Sequence, residues 1–135
     1  MPNQLFHTTD LTIGYESKKN QIVLNKNINL SFKKNNLQAI IGENGVGKST
    51  LIRTLAGIQK PISGTVLIEN RSVFDFKPND LAKKISIVTT EKLPPSNLTV
   101  FELVALGRQP YTNWLGKMTT QDIEIVSKAI QLVDI

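Results

Sequence analysis

Residues 42–49 read Gly42-Glu43-Asn44-Gly45-Val46-Gly47-Lys48-Ser49, and this octapeptide fits the phosphate-binding pattern G-x-x-x-x-G-K-[ST] at every defined position. The apolar run at residues 38–41 precedes it and predicts a buried strand. Residues 49–56 follow it and predict a helix that ends at Gly57. Because a strand, a glycine-rich loop and a helix in this order form a P-loop, we interpret the octapeptide as a nucleotide-phosphate site.

Each part of this P-loop has a chemical reason to bind a nucleotide tail. Gly45 and Gly47 let backbone N–H groups approach a phosphate closely, and the helix that follows presents its positive end. We expect Lys48 to stabilise the β- and γ-phosphates, Ser49 to bind Mg²⁺ and Thr50 to donate to the α-phosphate side. The segment offers no group that activates water, so it predicts no catalytic residue beyond the phosphate-stabilising Lys48. The predicted binding residues are Glu43, Asn44, Gly45, Val46, Gly47, Lys48, Ser49 and Thr50.

The composition limits the kinds of protein that this chain can be. With 135 residues, 40% of them hydrophobic and 20% charged, the chain predicts a soluble globular domain; it has no apolar run of bilayer length and no signal-peptide pattern. The absence of cysteine excludes disulfides and thiolate metal sites and fits a reducing cytoplasm. The net charge of +5 is scattered along the chain, which favours solvated turns over a nucleic-acid interface, although a membrane-proximal surface or an acidic partner would also suit it.

Strand patterns predominate in the first part of the chain. A turn is predicted at residues 25–27 and a short helix at 78–84. Besides the run before the P-loop, the predicted strands are residues 5–14, 22–24, 28–32, 64–69 and 85–88.

Helical patterns predominate after about residue 96. Thr99 and Glu102 form a capping box that opens a helix ending at Gly107. A loop is predicted at residues 108–118, and Thr119 begins a final helix. We therefore predict an α/β fold with a strand-rich part at residues 1–92 and a helical part at 93–135.

With these motifs in place, the whole chain resembles the ATP-binding subunit of an ABC transporter. Tyr15, within Leu11-Thr12-Ile13-Gly14-Tyr15, matches the aromatic loop of that family, which implies that its ring stacks on adenine; the alternative is a tyrosine at a strand end with no ligand. Residues 55–64 resemble the exit from the P-loop helix. The resemblance implies a P-loop NTPase core of the ABC type with an N-terminal antiparallel β subdomain, the start of an α-helical subdomain, and ATP and Mg²⁺ as cofactors.

Residues 98–112 resemble one branch of the family, the ATPases of importers for iron–siderophore, ferric citrate, haem or cobalamin. This resemblance implies ATP hydrolysis coupled to uptake of such a ligand, a transmembrane permease and a second ATP-binding subunit as partners, and a cytoplasmic location on the inner face of the cell membrane. It implies neither a nucleic-acid partner nor a membrane span. The alternative for residues 108–111 is a loop that ends a helix.

The chain departs from the family pattern in two respects. The family places a glutamine that contacts Mg²⁺ and the attacking water after the strand at 85–88. Thr90 stands there in this chain, with a shorter hydroxyl, and is the candidate for that metal contact. The Ser-Gly-Gly-Gln signature, the Walker B aspartate with its catalytic glutamate, and the switch histidine are absent; the only histidine, His7, precedes the P-loop. The resemblance therefore implies an N-terminal, truncated part of an ATPase, which binds nucleotide at most and exposes apolar surface beside the P-loop strand.

Two other functions stay open at this point. The chain could belong to an ABC-type ATPase that acts in DNA repair or translation instead of transport, since its basic charge permits nucleic-acid binding. It could also be a short nucleotide-binding module without catalytic activity.

Overall fold

The computed structural model describes residues 4–90, 97–113 and 115–134. The chain forms two compact units, Met1–Lys77 and Pro78–Ile135. The boundary predicted between residues 92 and 93 lies outside the described residues. None of the helices in the described ranges is long and apolar enough to cross a bilayer.

The first unit is built on one antiparallel sheet, in the strand order β2-β1-β4-β5, with β3 also paired to β1. The helix α1, Lys48–Leu55, contacts β1, and a short 3₁₀ helix, Val73–Asp75, follows β5. The antiparallel sheet expected in the N-terminal part is thus confirmed, and its last strand ends at Ser72. The strands are β1 (Gln4–Glu16), β2 (Gln21–Ile28), β3 (Ser31–Lys33), β4 (Ser63–Ile68) and β5 (Arg71–Ser72).

The long strand β1 organises this unit because it has three partners. Its first half pairs with β3 and β4, with Thr8 opposite Val66, and its second half pairs with β2, with Tyr15 opposite Ile22. The alternation of a strand turns the two buried residues Leu11 and Ile13 to the same face. The apolar interior of the first unit consists of Leu11, Ile13, Leu51, Val66, Ile68 and Val73.

The turn predicted at residues 25–27 is wrong, because β2 runs through it. Ile13 pairs with Asn25 while Leu11 pairs with Ile28, so β2 carries one extra residue between these two pairs. Asn27 absorbs it with a φ of 55°, in the left-handed region that asparagine tolerates. A β-bulge of this kind uses the same residue types as a turn, which explains the prediction.

The strands predicted at residues 38–41 and 85–88 are not formed. Ile41 is 93% exposed and Val88 is 98% exposed. A strand exists only where a second strand accepts and donates its backbone hydrogen bonds, and no strand of the described ranges pairs with either run. The apolar composition of these two runs therefore led to a wrong prediction of strands.

The second unit is helical. It contains α2 (Pro78–Ala82), α3 (Val100–Ala105) and α4 (Thr120–Leu132), and α3 contacts α4. The capping box of Thr99 and Glu102 is confirmed, and a second one, between Thr119 and Asp122, opens α4. Residues 108–111 of the loop predicted at 108–118 belong instead to a 3₁₀ helix, Leu106–Tyr111, and Pro110 near its end has no backbone N–H to donate to a longer helix.

Candidate functional site

The P-loop connects residue 41 to α1 and depends on two glycines. Gly45 has a φ of 84° and Gly47 a φ of 105°, a region that other residues adopt only with strain. A Cβ atom on Gly45 would meet nothing within 4 Å among the described residues. The conformation, and not the space available, therefore demands glycine at position 45, and the space beside it is open to a ligand.

The start of α1 differs from the starts of α3 and α4. Threonine side chains cap α3 and α4, whereas α1 begins after Gly47, which has no side chain to cap it, and its first turn contains no acidic residue. The first N–H groups of a helix need partners, and the helix dipole adds positive potential at this end. The start of α1 is thus suited to an anion such as a phosphate.

Lys48 adds a full positive charge to this anion site. Its Nζ donates hydrogen bonds to the backbone carbonyl of Gly42 at 2.8 Å and to that of Glu43 at 2.7 Å. The side chain thus folds back over the P-loop and closes it. Phosphate oxygens would compete with these two carbonyls for the same ammonium group, because hydrogen bonds between charged groups are stronger.

The two hydroxyl residues after Lys48 occupy different surroundings. Ser49 is exposed, and its hydroxyl is an oxygen ligand of the type that Mg²⁺ prefers, so the exposed position fits a bound metal. Thr50 is only 3% exposed. Ser49 is therefore on the exposed side of α1, where an ion can reach it, while Thr50 belongs to the packed side.

Tyr15 lies beside the P-loop helix, as its predicted role requires. Its hydroxyl is 2.9 Å from Oγ1 of Thr50, and the residue is 49% exposed. The backbone just before Tyr15 is closely held: a Cβ on Gly14 would lie 2.0 Å from the carbonyl oxygen of Ile22, and Gln59 Nε2 donates to the Gly14 carbonyl at 2.6 Å. The structure brings Tyr15 and Thr50 together; stacking on adenine stays a prediction.

Two contacts of this region involve residues that the sequence did not single out. Gln59 fixes the backbone before Tyr15, as described above. Asn25, in β2, donates from Nδ2 to the backbone carbonyl of Val46 at 2.6 Å. Asn25 and Val46 also line a cleft of about 410 Å³ against the P-loop, with Ile13, Ile41 and Lys48. No motif places Asn25 near residue 46, so no signal in the sequence could have found it.

The second unit contains the segment that resembles importer ATPases. Nε of Arg108 lies 2.9 Å from Oδ1 of the buried Asp122, and its guanidinium lies 4.0 Å from the centre of the Tyr111 ring. Hydrogen bonds from the Thr119 side chain and backbone, and then from Arg108, lower the pKa of the Asp122 carboxyl below its usual value. The ion pair therefore links this segment to α4. Thr90 also belongs to this unit, and its metal contact stays a prediction.

Comparison with known proteins identifies the family. The sequence profile of the family described as ABC transporter matches residues 25–135. The chain is 38% identical to the "Probable siderophore transport system ATP-binding protein" of Bacillus subtilis over 92% of this chain and 44% of that protein. It is 32% identical to the "Iron(3+)-hydroxamate import ATP-binding protein" of the same organism over 92% of this chain and 45% of that protein.

Solved structures give the same result. A dimeric ATP-binding cassette in a post-hydrolysis state, bound to ADP and Pi, superposes with a TM-score of 0.76 and 26% identity over 97% of this chain and 58% of that one. The predicted ABC-type fold is thus confirmed. This chain spans about half the length of the curated relatives that it matches, 44% and 45% of the two above. Because the family profile covers most of its residues, the chain belongs to the ABC transporter family.

Proposed function

We propose that this chain binds ATP with Mg²⁺ through residues 42–50. The observation that carries the proposal is the combination of left-handed glycines, an uncapped α1 and the Lys48 ammonium in one exposed loop. Each of these features favours a bound anion, and a triphosphate has the length to engage all of them.

The chain's own residues have distinct roles in this proposal. Lys48 leaves the carbonyls of Gly42 and Glu43 and bonds the β- and γ-phosphate oxygens. Ser49 is the proposed metal-binding residue of the P-loop, Thr90 is proposed separately as a metal-binding residue, and Mg²⁺ would neutralise phosphate charge when bound. The side chain of Thr50 is buried against Tyr15, so Thr50 donates on the α-phosphate side through its backbone N–H in the first turn of α1, and Tyr15 stacks on adenine.

We further propose that the protein drives uptake of an iron chelate or a related ligand. The names of its relatives, which refer to siderophore transport and iron(3+)-hydroxamate import, support this function. The partners would be transmembrane permease subunits and a second ATP-binding subunit in a homodimer, and the dimeric solved cassette supports the latter. The complex would place this chain in the cytoplasm, on the inner face of the cell membrane.

Calorimetric titration of the purified chain with Mg-ATP tests the nucleotide site. We expect binding that Lys48→Ala abolishes and that Lys34→Ala, which removes the same charge from an exposed position, leaves unchanged. Equal affinities of wild type and Lys48→Ala would contradict the proposed site.

ATP hydrolysis by the chain alone should be negligible, since the sequence has no Asp-Glu pair; steady turnover well above that of Lys48→Ala would contradict this.

Uptake of radioactive iron chelates tests the transport function. Cells of the source organism that lack this gene should lose uptake of a ferric siderophore, and the wild-type gene, but not its Lys48→Ala form, should restore it. Unchanged uptake of all the ferric chelates tested, combined with salt-sensitive binding of DNA by the purified protein, would favour the non-transport function instead.

A further inference from the structure

Asn25 reaches the P-loop from a strand that lies 21 residues earlier in the sequence. It sits opposite Ile13 in the β1–β2 ladder, next to the bulge at Asn27. Its Nδ2 donates to the carbonyl of Val46, and a Cβ on Gly47 would lie 3.4 Å from the same nitrogen. The amide of Asn25 is therefore in contact with the peptide bond between Val46 and Gly47.

This contact fixes the direction of a backbone donor. The peptide bonds of the described residues are all trans, so the carbonyl and the N–H of one peptide unit point in opposite directions. Since the carbonyl of Val46 points toward Asn25 in β2, the N–H of Gly47 points away from β2. Backbone N–H groups in this part of a P-loop are the ones that receive a phosphate.

The Asn25–Val46 hydrogen bond does not depend on the Lys48 ammonium, which a bound phosphate would engage. Without a ligand, Lys48 closes the P-loop through the carbonyls of Gly42 and Glu43. A phosphate that takes over the Lys48 ammonium removes both of these bonds. The bond from Asn25 does not involve Lys48, so the movement of Lys48 to a phosphate does not by itself break it.

We infer that Asn25 is a positioning residue for the phosphate site, because it orients the N–H of Gly47 through its hydrogen bond to Val46. The inference rests on the proposed function of the P-loop and adds to it a residue outside the octapeptide. The role assigned to Asn25 acts through the backbone of the loop, so it should affect any ligand with a triphosphate equally.

The test compares Asn25→Ala with Gln21→Ala. Gln21 is an exposed amide of the same strand, and its side chain bonds Glu16 instead of the P-loop. We expect Asn25→Ala to weaken the binding of Mg-ATP and of inorganic triphosphate by a similar factor, roughly fivefold, which corresponds to one hydrogen bond. Gln21→Ala should bind both as the wild type does. Equal losses in the two variants, a loss for ATP alone, or unchanged affinity in Asn25→Ala would overturn the inference.

Amide NMR spectra of the ligand-free chain provide a second readout that needs no nucleotide. The shift of the Gly47 amide reports on the hydrogen bond to the Val46 carbonyl, because both belong to one peptide unit. We expect this signal to move in Asn25→Ala and not in Gln21→Ala; an unmoved signal would overturn the inference. If the wild type binds no nucleotide, the proposed function fails, while this measurement still decides whether Asn25 orients the loop.

Discussion

The hydroxyl of Tyr15 lies 2.9 Å from the hydroxyl of Thr50, although the first residue lies near the end of β1 and the second belongs to the first turn of α1. Tyr15 is half exposed and Thr50 is buried. The tyrosine thus has two separable parts, a hydroxyl engaged within the protein and a ring that is accessible from solvent. Substitutions can remove these parts one at a time.

Removal of the Tyr15 ring should affect adenine nucleotides specifically. We expect Tyr15→Ala to weaken ATP binding roughly 5- to 150-fold, because stacking of a base on an aromatic ring contributes about 1–3 kcal/mol. Tyr15→Phe keeps the ring and should retain most of the affinity while it lowers the free energy of unfolding by about 1 kcal/mol. Calorimetry with ATP and with inorganic triphosphate checks this. Equal losses for both ligands in Tyr15→Ala would exclude stacking.

Withdrawal of Mg²⁺ should reveal the role of Ser49. We expect a chelator to weaken ATP binding by the wild type, because the metal screens phosphate charge and the Ser49 hydroxyl is its proposed ligand. Ser49→Ala should bind ATP more weakly with the metal present and lose little more on chelation. Ser49→Thr keeps the hydroxyl and serves as the matched control. If Ser49→Ala responds to the chelator as strongly as wild type does, Ser49 is not the ligand.

The stability of the helical unit should depend on the charge of Asp122. Thr119 and Arg108 hold the pKa of this carboxyl below its usual value of 3.8, so the carboxylate stabilises the folded state above that pH. We expect Asp122→Asn to lower the free energy of unfolding at neutral pH. The difference from wild type should shrink as the pH falls below 3.8, when the wild-type carboxylate itself takes up a proton.

Chemical denaturation across that range of pH measures this difference. Glu124→Gln replaces an exposed carboxylate of the same helix and controls for the loss of a negative charge. A difference between Asp122→Asn and wild type that stays constant from about pH 7 to about pH 2 would contradict the linkage.

A methyl group at Gly64 should strain the sheet of the first unit. Gly64 has a φ of 83°, and a Cβ there would lie 2.4 Å from the carbonyl oxygen of Asp10. We expect Gly64→Ala to lower the free energy of unfolding by more than about 2 kcal/mol. At Gly107 a Cβ would meet nothing within 4 Å, so Gly107→Ala should change stability by less than about 1 kcal/mol. Thermal unfolding checks both, and similar midpoints for the two variants would contradict the argument.

The apolar run before the P-loop should promote self-association. Leu37 and Ile41 are both almost fully exposed, and exposed apolar runs without a paired strand favour contacts between molecules. We expect light scattering to show association that increases with concentration and that Ile41→Asp reduces. Ile58→Asp, at another exposed isoleucine, is the control. A compact monomer over a wide concentration range would show that this surface is inert.

The features that sequence predicted correctly depend on residues close together in the chain. The turn into α1 needs glycines at fixed offsets from Lys48, and the capping box needs only Thr99 and Glu102. In each case the interacting groups lie within a few residues, so their spacing carries the structural information.

The features that sequence missed depend on partners far away in the chain. Residues 38–41 have the composition of a strand, but a strand also requires a neighbour, which composition does not specify. Asn25 resembles a turn residue until its ladder partner Ile13 is known. The same applies to the hydroxyl of Tyr15, whose partner Thr50 lies 35 residues later.

The bond from Asn25 to Val46 affects how nucleotide-binding proteins are identified from their sequences. A substitution at position 25 leaves all eight letters of the P-loop pattern unchanged. If Asn25 positions the loop as proposed, a duplicated copy of this gene with a substitution at position 25 would bind phosphate more weakly while the octapeptide pattern stayed intact. Surveys of nucleotide-binding proteins that rely on the octapeptide alone would not register that loss of affinity.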